Sequence, residues 1–415
     1  MLKKHTKFFE NSNKKDLFAI LILFGIISLF GDIIYESSRG VIGPYLSVLG
    51  ANAYIIGIVV GVAEVVGYLI RIIVGYFSDK TKAYWFFVIL GYSLLFTVPI
   101  LGIIDFWPLA TIFLVLERIG KGLRSPARDT IVSYPAKKVG VGFGFGLLEF
   151  LDQIGGIIGP LIFSFLFFTA TNEVKELAAY QNAYNFLWIF FIALEIILFY
   201  TFFKYSKKIK LPKEQEKQII PKQNFPKIYW IYALFTFFTT IGFINFAIIG
   251  YHLKINQIVS DKFIPLLYAI AMGADAIFAI LIGRIYDKIK KETKNKYAGL
   301  NILLILPPMA VFILLTIFST NFVFIFLAIV LWGVVMACHE TIMKAAITDL
   351  IPSIKLGFGY GIFNAVYGLS IFFGSIVSGY LYEISKTLLV VLLTMTETFA
   401  LLAFFLLKKE IELQK

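Results

Sequence analysis

The chain is expected to fold as an all-α membrane protein, with twelve transmembrane helices arranged in two six-helix bundles. Three observations predict this. Of 415 residues, 59% are hydrophobic and only 15% are charged, where a soluble domain carries about 25% charged residues. The 32 lysines are sorted: 26 fall in segments assigned to one side of a membrane, four to the other and two within apolar spans. The six arginines do the reverse, since all lie inside, or at the very end of, long apolar stretches. Lysine here records topology, whereas arginine marks positions where a charge is kept in the membrane for a reason.

About 20 apolar residues are needed to cross the hydrocarbon. Twelve segments meet that length: 17–46, 53–78, 85–104, 109–134, 140–170, 184–204, 228–250, 263–286, 299–319, 322–350, 357–384 and 387–407. The first follows a basic, polar start (residues 1–16) and is too long for a signal-peptide core, so it reads as a retained span. The second ends in Gly75-Tyr-Phe-Ser-Asp79-Lys80, and the third is plainly apolar. The fourth holds the densest charge run of any span, from Glu117 through Arg118, Lys121, Arg124 and Arg128 to Asp129. The fifth is glycine-rich and carries Pro160, and the sixth runs into a linker.

That linker, residues 205–227, is the only long hydrophilic segment. It divides the chain into a first half, 17–204, and a second half, 228–407, leaving tails at 1–16 and 408–415. With the N-terminus in the cytoplasm, the lysine-rich loops, the linker and both tails are cytoplasmic, following the positive-inside rule. The protein is therefore expected in the cell membrane with both termini inside. The halves also repeat: Gly283-Arg-Ile-Tyr-Asp287-Lys288 echoes the Gly75 loop, Phe358-Gly-Tyr-Gly361 echoes Phe143-Gly-Phe-Gly146, and Lys344 falls near the register of Arg128. Parallel six-span repeats with a substrate path between them are a transporter design.

On these motifs the chain resembles the major facilitator superfamily over its whole length. Gly75-x-x-x-Asp79-Lys80 resembles that superfamily's loop motif between spans two and three, and Arg118-x-x-x-Gly122 resembles its second motif, used near the coupling site in proton-coupled members. Gly146, Gly155 and Gly159-Pro160 have the spacing of the motif tied to antiporters, with Phe163-Ser164 where that motif has two glycines. The gating candidates are Gly75, Asp79, Arg128, Asp129, Gly155, Gly159, Pro160 and Asp287, and the glycine–proline spacing is expected to form a rocking joint between span five and its partner across the halves. The Glu64 span and the Gly120-to-Asp129 stretch are similar to a prokaryotic subgroup whose substrates the resemblance does not fix.

The residues also argue by themselves. Glu117, Lys121, Arg124 and Arg128 are spaced i, i+4, i+7 and i+11, on one helical stripe. Asp32, Glu36 and Arg39 repeat the pattern on span one, Glu64, Tyr68 and Arg71 on span two, and Glu149 and Asp152 sit one turn apart on span five. A charge at mid-bilayer costs about 2.5–3.5 kcal/mol on insertion scales. About a dozen such charges would cost on the order of 30 kcal/mol, more than helix-to-helix glue explains. Asp32, Glu36 and Asp152, tuned by Arg118 and Lys121, are the proton-coupling candidates. Glu64, Arg124, Glu149, Asn245, Glu340 and Asn364 are the candidates for lining a substrate cavity. The second half is poorer in charge, and Glu340 and Lys344 are spaced as an i, i+4 ion pair.

The expected function is proton-coupled export of a small organic compound by a secondary transporter working by alternating access. Import of an organic anion held by Arg118, Lys121 and Arg124 is the alternative, with a lipid flippase or a substrate-sensing receptor further off. No nucleotide loop, metal-ligand set or nucleophile constellation points to an enzyme or a cofactor. One histidine within the spans, His339, beside the single Cys338, is too little for a metal site. The basic balance lies in short loops, which argues for lipid headgroups rather than nucleic acid. The expected partners are the substrate, protons and the bilayer, and the chain is expected to be a monomer.

Overall fold

The computed structural model describes residues 14–170, 175–206, 225–293, 295, 297–351 and 356–413. The expected linker lies outside the described residues between 207 and 224, as do the N-terminal tail up to residue 13 and the side chain of Asp79.

The helices follow the hydropathy. In the first half they are α1 (Lys14–Val48), α2 (Ala53–Thr81), α3 (Tyr84–Ser93), α4 (Thr97–Ile100), α5 (Trp107–Val139), α6 (Val141–Thr169), α7 (Glu176–Phe186) and α8 (Trp188–Tyr205). In the second they are α9 (Lys227–Gly242), α10 (Phe246–Ile255), α11 (Phe263–Thr293), α12 (Leu306–Ile317), α13 (Phe322–Glu340), α14 (Ile342–Leu350), α15 (Leu356–Ile384) and α16 (Lys386–Leu413). Eleven helical stretches among the described residues are long and apolar enough to cross a membrane. The 33-residue α5 has the length, but its charge run keeps it outside that composition.

Local chemistry sets the breaks. Asn52 caps α2, its side chain accepting from the Ile55 N–H at 3.0 Å. Lys82 closes the other end in the left-handed conformation (φ 57°) with its N–H on the Ser78 carbonyl. Asn245 restarts the chain as α10 by accepting from the Ala247 N–H at 2.9 Å, so span seven is two helices rather than one. The break frees the Ile244 carbonyl, which receives the Trp332 indole N–H at 2.9 Å. Span ten is likewise divided at Thr341. Irregular backbone at membrane depth is tolerated only where protein or a cavity surrounds it.

Several ends run past the hydropathy boundaries. The Glu176–Phe186 helix begins before the expected sixth span, because its alanine-rich, polar sequence is helical without being apolar. The last helix continues through Leu413, where Lys227 pairs with Glu410 at 2.9 Å.

The halves meet along α1 with α10, α2 with α15 and α6 with α11. These seams are closed at the lysine-poor end by glycines. A Cβ on Gly43 would fall 1.9 Å from the Ala247 carbonyl oxygen, one on Gly57 2.3 Å from that of Ser375, and one on Gly379 2.3 Å from that of Ala53. Polar links reinforce the contact. The Ala53 N–H donates to Glu383 at 2.7 Å, the Ser164 hydroxyl to the Lys262 carbonyl at 2.7 Å and the Tyr180 hydroxyl to Asp261 at 2.8 Å. Lys254 joins Glu176 of the first half to Asp261 of the second. At the lysine-rich end the arrangement differs: a Cβ on Gly75, Gly146, Gly283 or Gly361 would meet nothing within 4 Å.

Candidate functional site

Between the halves lies a cavity of about 370 Å³. It receives Asp32, Glu36, Glu64, Arg118, Lys121, Arg124, Arg128, Asp129, Glu149 and Asp152 from the first half, and Asp275, Glu340, Lys344 and Asn364 from the second. The structure thus brings together the five coupling candidates, five of the six cavity candidates, and Arg128 and Asp129.

The stripe on α5 is a wired array. Arg118 reaches Glu64 on α2 at 2.9 Å and its neighbour Glu117 at 3.2 Å. The buried Glu117 also receives Arg124 at 3.5 Å, while Arg124 donates to the Gly91 carbonyl at 3.3 Å. Arg128 reaches Asp129 at 3.0 Å, Asp152 at 3.3 Å and the Ser28 hydroxyl at 2.6 Å. Glu36 sits 3.6 Å from Arg39 and accepts a 2.6 Å hydrogen bond from Tyr268, a residue of the second half.

Two of these groups are left open. Among the described residues, Asp32 has no hydrogen bond or ion pair, although it faces the cavity near Asp152, Lys121 and Glu36. Lys121 has no carboxylate within 4 Å among the described residues; its ammonium rests 3.7 Å from the centre of the Tyr35 ring. The same ring carries Arg118 at 4.3 Å and Arg39 at 5.8 Å. A tyrosine face attracts a cation by roughly 0.5–2 kcal/mol depending on desolvation, so Tyr35 gathers three cations without neutralising any of them.

Tyr35 was not singled out by the sequence, and neither were Ser28, Tyr92, Tyr268 or Tyr367. A signal existed for Tyr35, which lies three residues after Asp32 and four before Arg39, on the charged stripe. For Tyr268 and Tyr367 the sequence held no signal, since both act across the seam between halves.

Other expectations change with the geometry. Asn245 lies off the main cavity; it caps α10 beside two recesses of about 40 and 30 Å³ near Arg39 and Glu64. Glu340 and Lys344 both face the cavity but do not form an ion pair, because the break at Thr341 separates their turns. Gly155 and Gly159 pack on α1 within the first half rather than across the seam: their Cβ atoms would meet the Leu29 and Ile33 carbonyl oxygens at 2.6 and 2.5 Å. This close approach sets Asp32 and Glu36 opposite Asp152. Asp287 is exposed and has no partner among the described residues. His339 is packed and hydrogen-bonded to Tyr367 at 3.2 Å, and no group of metal-ligating side chains occurs among the described residues. Arg118 and Arg124 share Glu117, which occupies two of the three cations that an anion site would need.

A family model described as the Major Facilitator Superfamily matches residues 17–310. The chain belongs to the Major Facilitator Superfamily. An uncharacterized protein of Mycobacterium tuberculosis (strain ATCC 25618 / H37Rv) is 30% identical over 395 residues, covering 93% of this chain and 92% of that one. An uncharacterized MFS-type transporter of Methanocaldococcus jannaschii is 29% identical over 397 residues, 91% of this chain and 92% of its own length. Among solved structures, a mutant of the nucleoside transporter NupG aligns with a TM-score of 0.72 at 15% identity, over 94% of this chain and 99% of that one. The inward-open xylose transporter XylE from E. coli aligns at 0.67 and 14%, over 95% and 96%. These two share the fold. As a Major Facilitator Superfamily member, the protein is a multi-pass membrane transporter of the non-enzymatic kind.

Proposed function

We propose that the protein is a secondary active transporter of twelve membrane helices in two six-helix bundles, and that it exports a small polar organic compound in exchange for protons. Both termini and the linker then lie in the cytoplasm, as the lysine distribution requires. The observation that carries this reading is the pairing pattern inside the cavity. Asp152 and Glu36 already have partners, whereas Asp32 and Lys121 are unpaired in the same space. A carboxylate so placed can take a proton without first breaking an ion pair, and its affinity for that proton follows the position of nearby cations. Asp32 is therefore the proton site, and Lys121, held on Tyr35, is the cation that tunes it. The glycine–proline spacing of α6 supports antiport. The glycine-sealed, lysine-poor end and the open glycines at the other end fit a carrier open to the cytoplasm.

The test is flux into proteoliposomes under an imposed pH gradient, comparing Asp32→Asn, Glu36→Gln, Asp152→Asn and Arg118→Ala. Asp32→Asn should abolish gradient-driven uptake yet retain exchange of substrate for substrate, because exchange returns the carrier loaded. If all four variants keep full gradient-driven uptake, these charges are scaffolding and the coupling lies elsewhere.

A further inference from the structure

Apart from Asp32, the proton site proposed above, the charges that face the cavity without an ion pair fall on two walls. One wall, built by the packed pair α2 and α5, presents Arg71 and Lys121. Neither has a carboxylate within 4 Å among the described residues. Arg71 rests on the Tyr68 ring at 4.9 Å and its Nε is buried without a partner. A second wall, built by α11 with α6 and α13 packed on it, presents Glu149, Asp275 and Glu340. None of these has a cation within 4 Å among the described residues, and Glu149 accepts only from the neutral Gln153 amide, at 3.4 Å. Asp275 is the decisive member: it is only 2% exposed, it lies in the cavity lining, and its Oδ1 has no hydrogen-bond partner. The neutral Gln153 amide stands beside it, with Glu340, Glu149 and Glu36 within electrostatic reach.

Removing one partner from a buried ion pair is among the costlier defects a fold can carry. A cavity that keeps bare cations on one wall and bare carboxylates on another is organised for a molecule that brings both signs. We infer that the substrate is a small zwitterion, with an ammonium group received by Asp275, Glu340 and Glu149, and a carboxylate received by Lys121 and Arg71. This rests on the transport reading above and narrows it. A monoanion would answer Lys121 and Arg71 and leave Asp275 orphaned; a monocation would do the opposite. Lys344 lies beyond Glu340 toward the lysine-rich end, where it is exposed and placed to meet the entering acid group first.

The experiment uses the purified full-length protein in detergent and three probe series: the common L-amino acids and simple dipeptides, the amines formed by removing their carboxylate, and the acids formed by removing their amino group. Ligand-induced thermal stabilisation is read for each. At least one zwitterion should stabilise the protein, and both its single-charge analogues should bind about tenfold more weakly or worse. Asp275→Asn should weaken binding of the zwitterion while leaving that of the deaminated acid unchanged, a selectivity that general misfolding would not give. Lys121→Gln should do the mirror image with the decarboxylated amine. The inference is overturned if no zwitterion stabilises the protein, if a single-charge analogue does so equally well, or if Asp275→Asn weakens all three series alike. Proteoliposome flux separates the two readings: a zwitterion that binds but is not moved refutes transport and leaves the ligand class standing.

Discussion

The two halves of the molecule treat buried charge in opposite ways. In the first half, Glu117 serves two arginines, Arg118 spans two helices and Arg128 binds three partners. Most of its charges are neutralised by side chains from the same half. In the second half, the cavity-facing Asp275, Glu340 and Lys344 have no ion pair at all among the described residues. Its paired charges, such as Lys290 with Asp349 at 2.6 Å, lie outside the cavity lining. A paired charge holds helices in place; an unpaired one in a cavity waits for something mobile. The first half thus supplies a paired frame around four open charges, Asp32, Arg71, Lys121 and Glu149, whereas the cavity charges of the second half are all open.

The largest expected effect tests the frame. Glu117→Gln leaves Arg118 with Glu64 but strips the buried Arg124 guanidinium of its carboxylate, a change of the kind that costs about 3–5 kcal/mol. Most of the folded protein should be lost, as read by the recovery of monodisperse protein after solubilisation. Normal recovery would mean that Arg124 finds another partner, and the contrast between halves would fail.

Asp275→Asn is the matching change in the second half and should behave in reverse. It removes an uncompensated buried carboxylate, so stability should stay level or rise, while substrate flux should fall at least about tenfold, equal to about 1.4 kcal/mol of binding. A clear drop in melting temperature would show that Asp275 is a structural member instead.

Tyr268→Phe addresses the one hydrogen bond that ties the halves together at a candidate coupling group. A bond to a charged acceptor contributes about 1.5–3 kcal/mol. Its loss should shift the carrier toward the state open at the lysine-poor end. In a Cys338→Ala background, a cysteine placed at Gly50 reports one end and one at Gly75 the other. Labelling at the first should rise and at the second fall; unchanged labelling at both would remove Glu36–Tyr268 from the gate.

The smallest effect is expected at Asp287→Asn. Its side chain is exposed and has no partner among the described residues, so stability should change by less than about 0.5 kcal/mol. Asp79→Asn, at the matching loop of the first half, should impair turnover with abundance nearly normal. Equal transport in the two variants would erase the asymmetry between the repeated loops.

Much of this was legible before any coordinates. Hydropathy fixes where helices cross, and helical periodicity places Glu117, Lys121, Arg124 and Arg128 on one stripe because spacing alone decides which side chains share a face. What spacing cannot decide is which partner each charge takes. Glu340 and Lys344 read as a pair until a break at Thr341 parts them, and Gly155 and Gly159 read as a joint across the halves until their contact proves to be α1. Tyr35 is one of 22 tyrosines, and only the convergence of cations from α1 and α5 distinguishes it.

The side chains lining the cavity count seven cations against eight carboxylates, a formal charge of −1. In the proposed exchange the carrier crosses inward with a proton and outward with the zwitterion. The bound proton makes the lining neutral, whereas the zwitterion leaves it at −1, so the loaded, unprotonated carrier takes one negative charge outward through the field. Across 100 mV that charge is worth about 2.3 kcal/mol. An inside-negative membrane voltage would therefore drive the loaded cavity outward, and the single unbalanced carboxylate would make the substrate-bearing step, rather than the proton-bearing one, the electrical one.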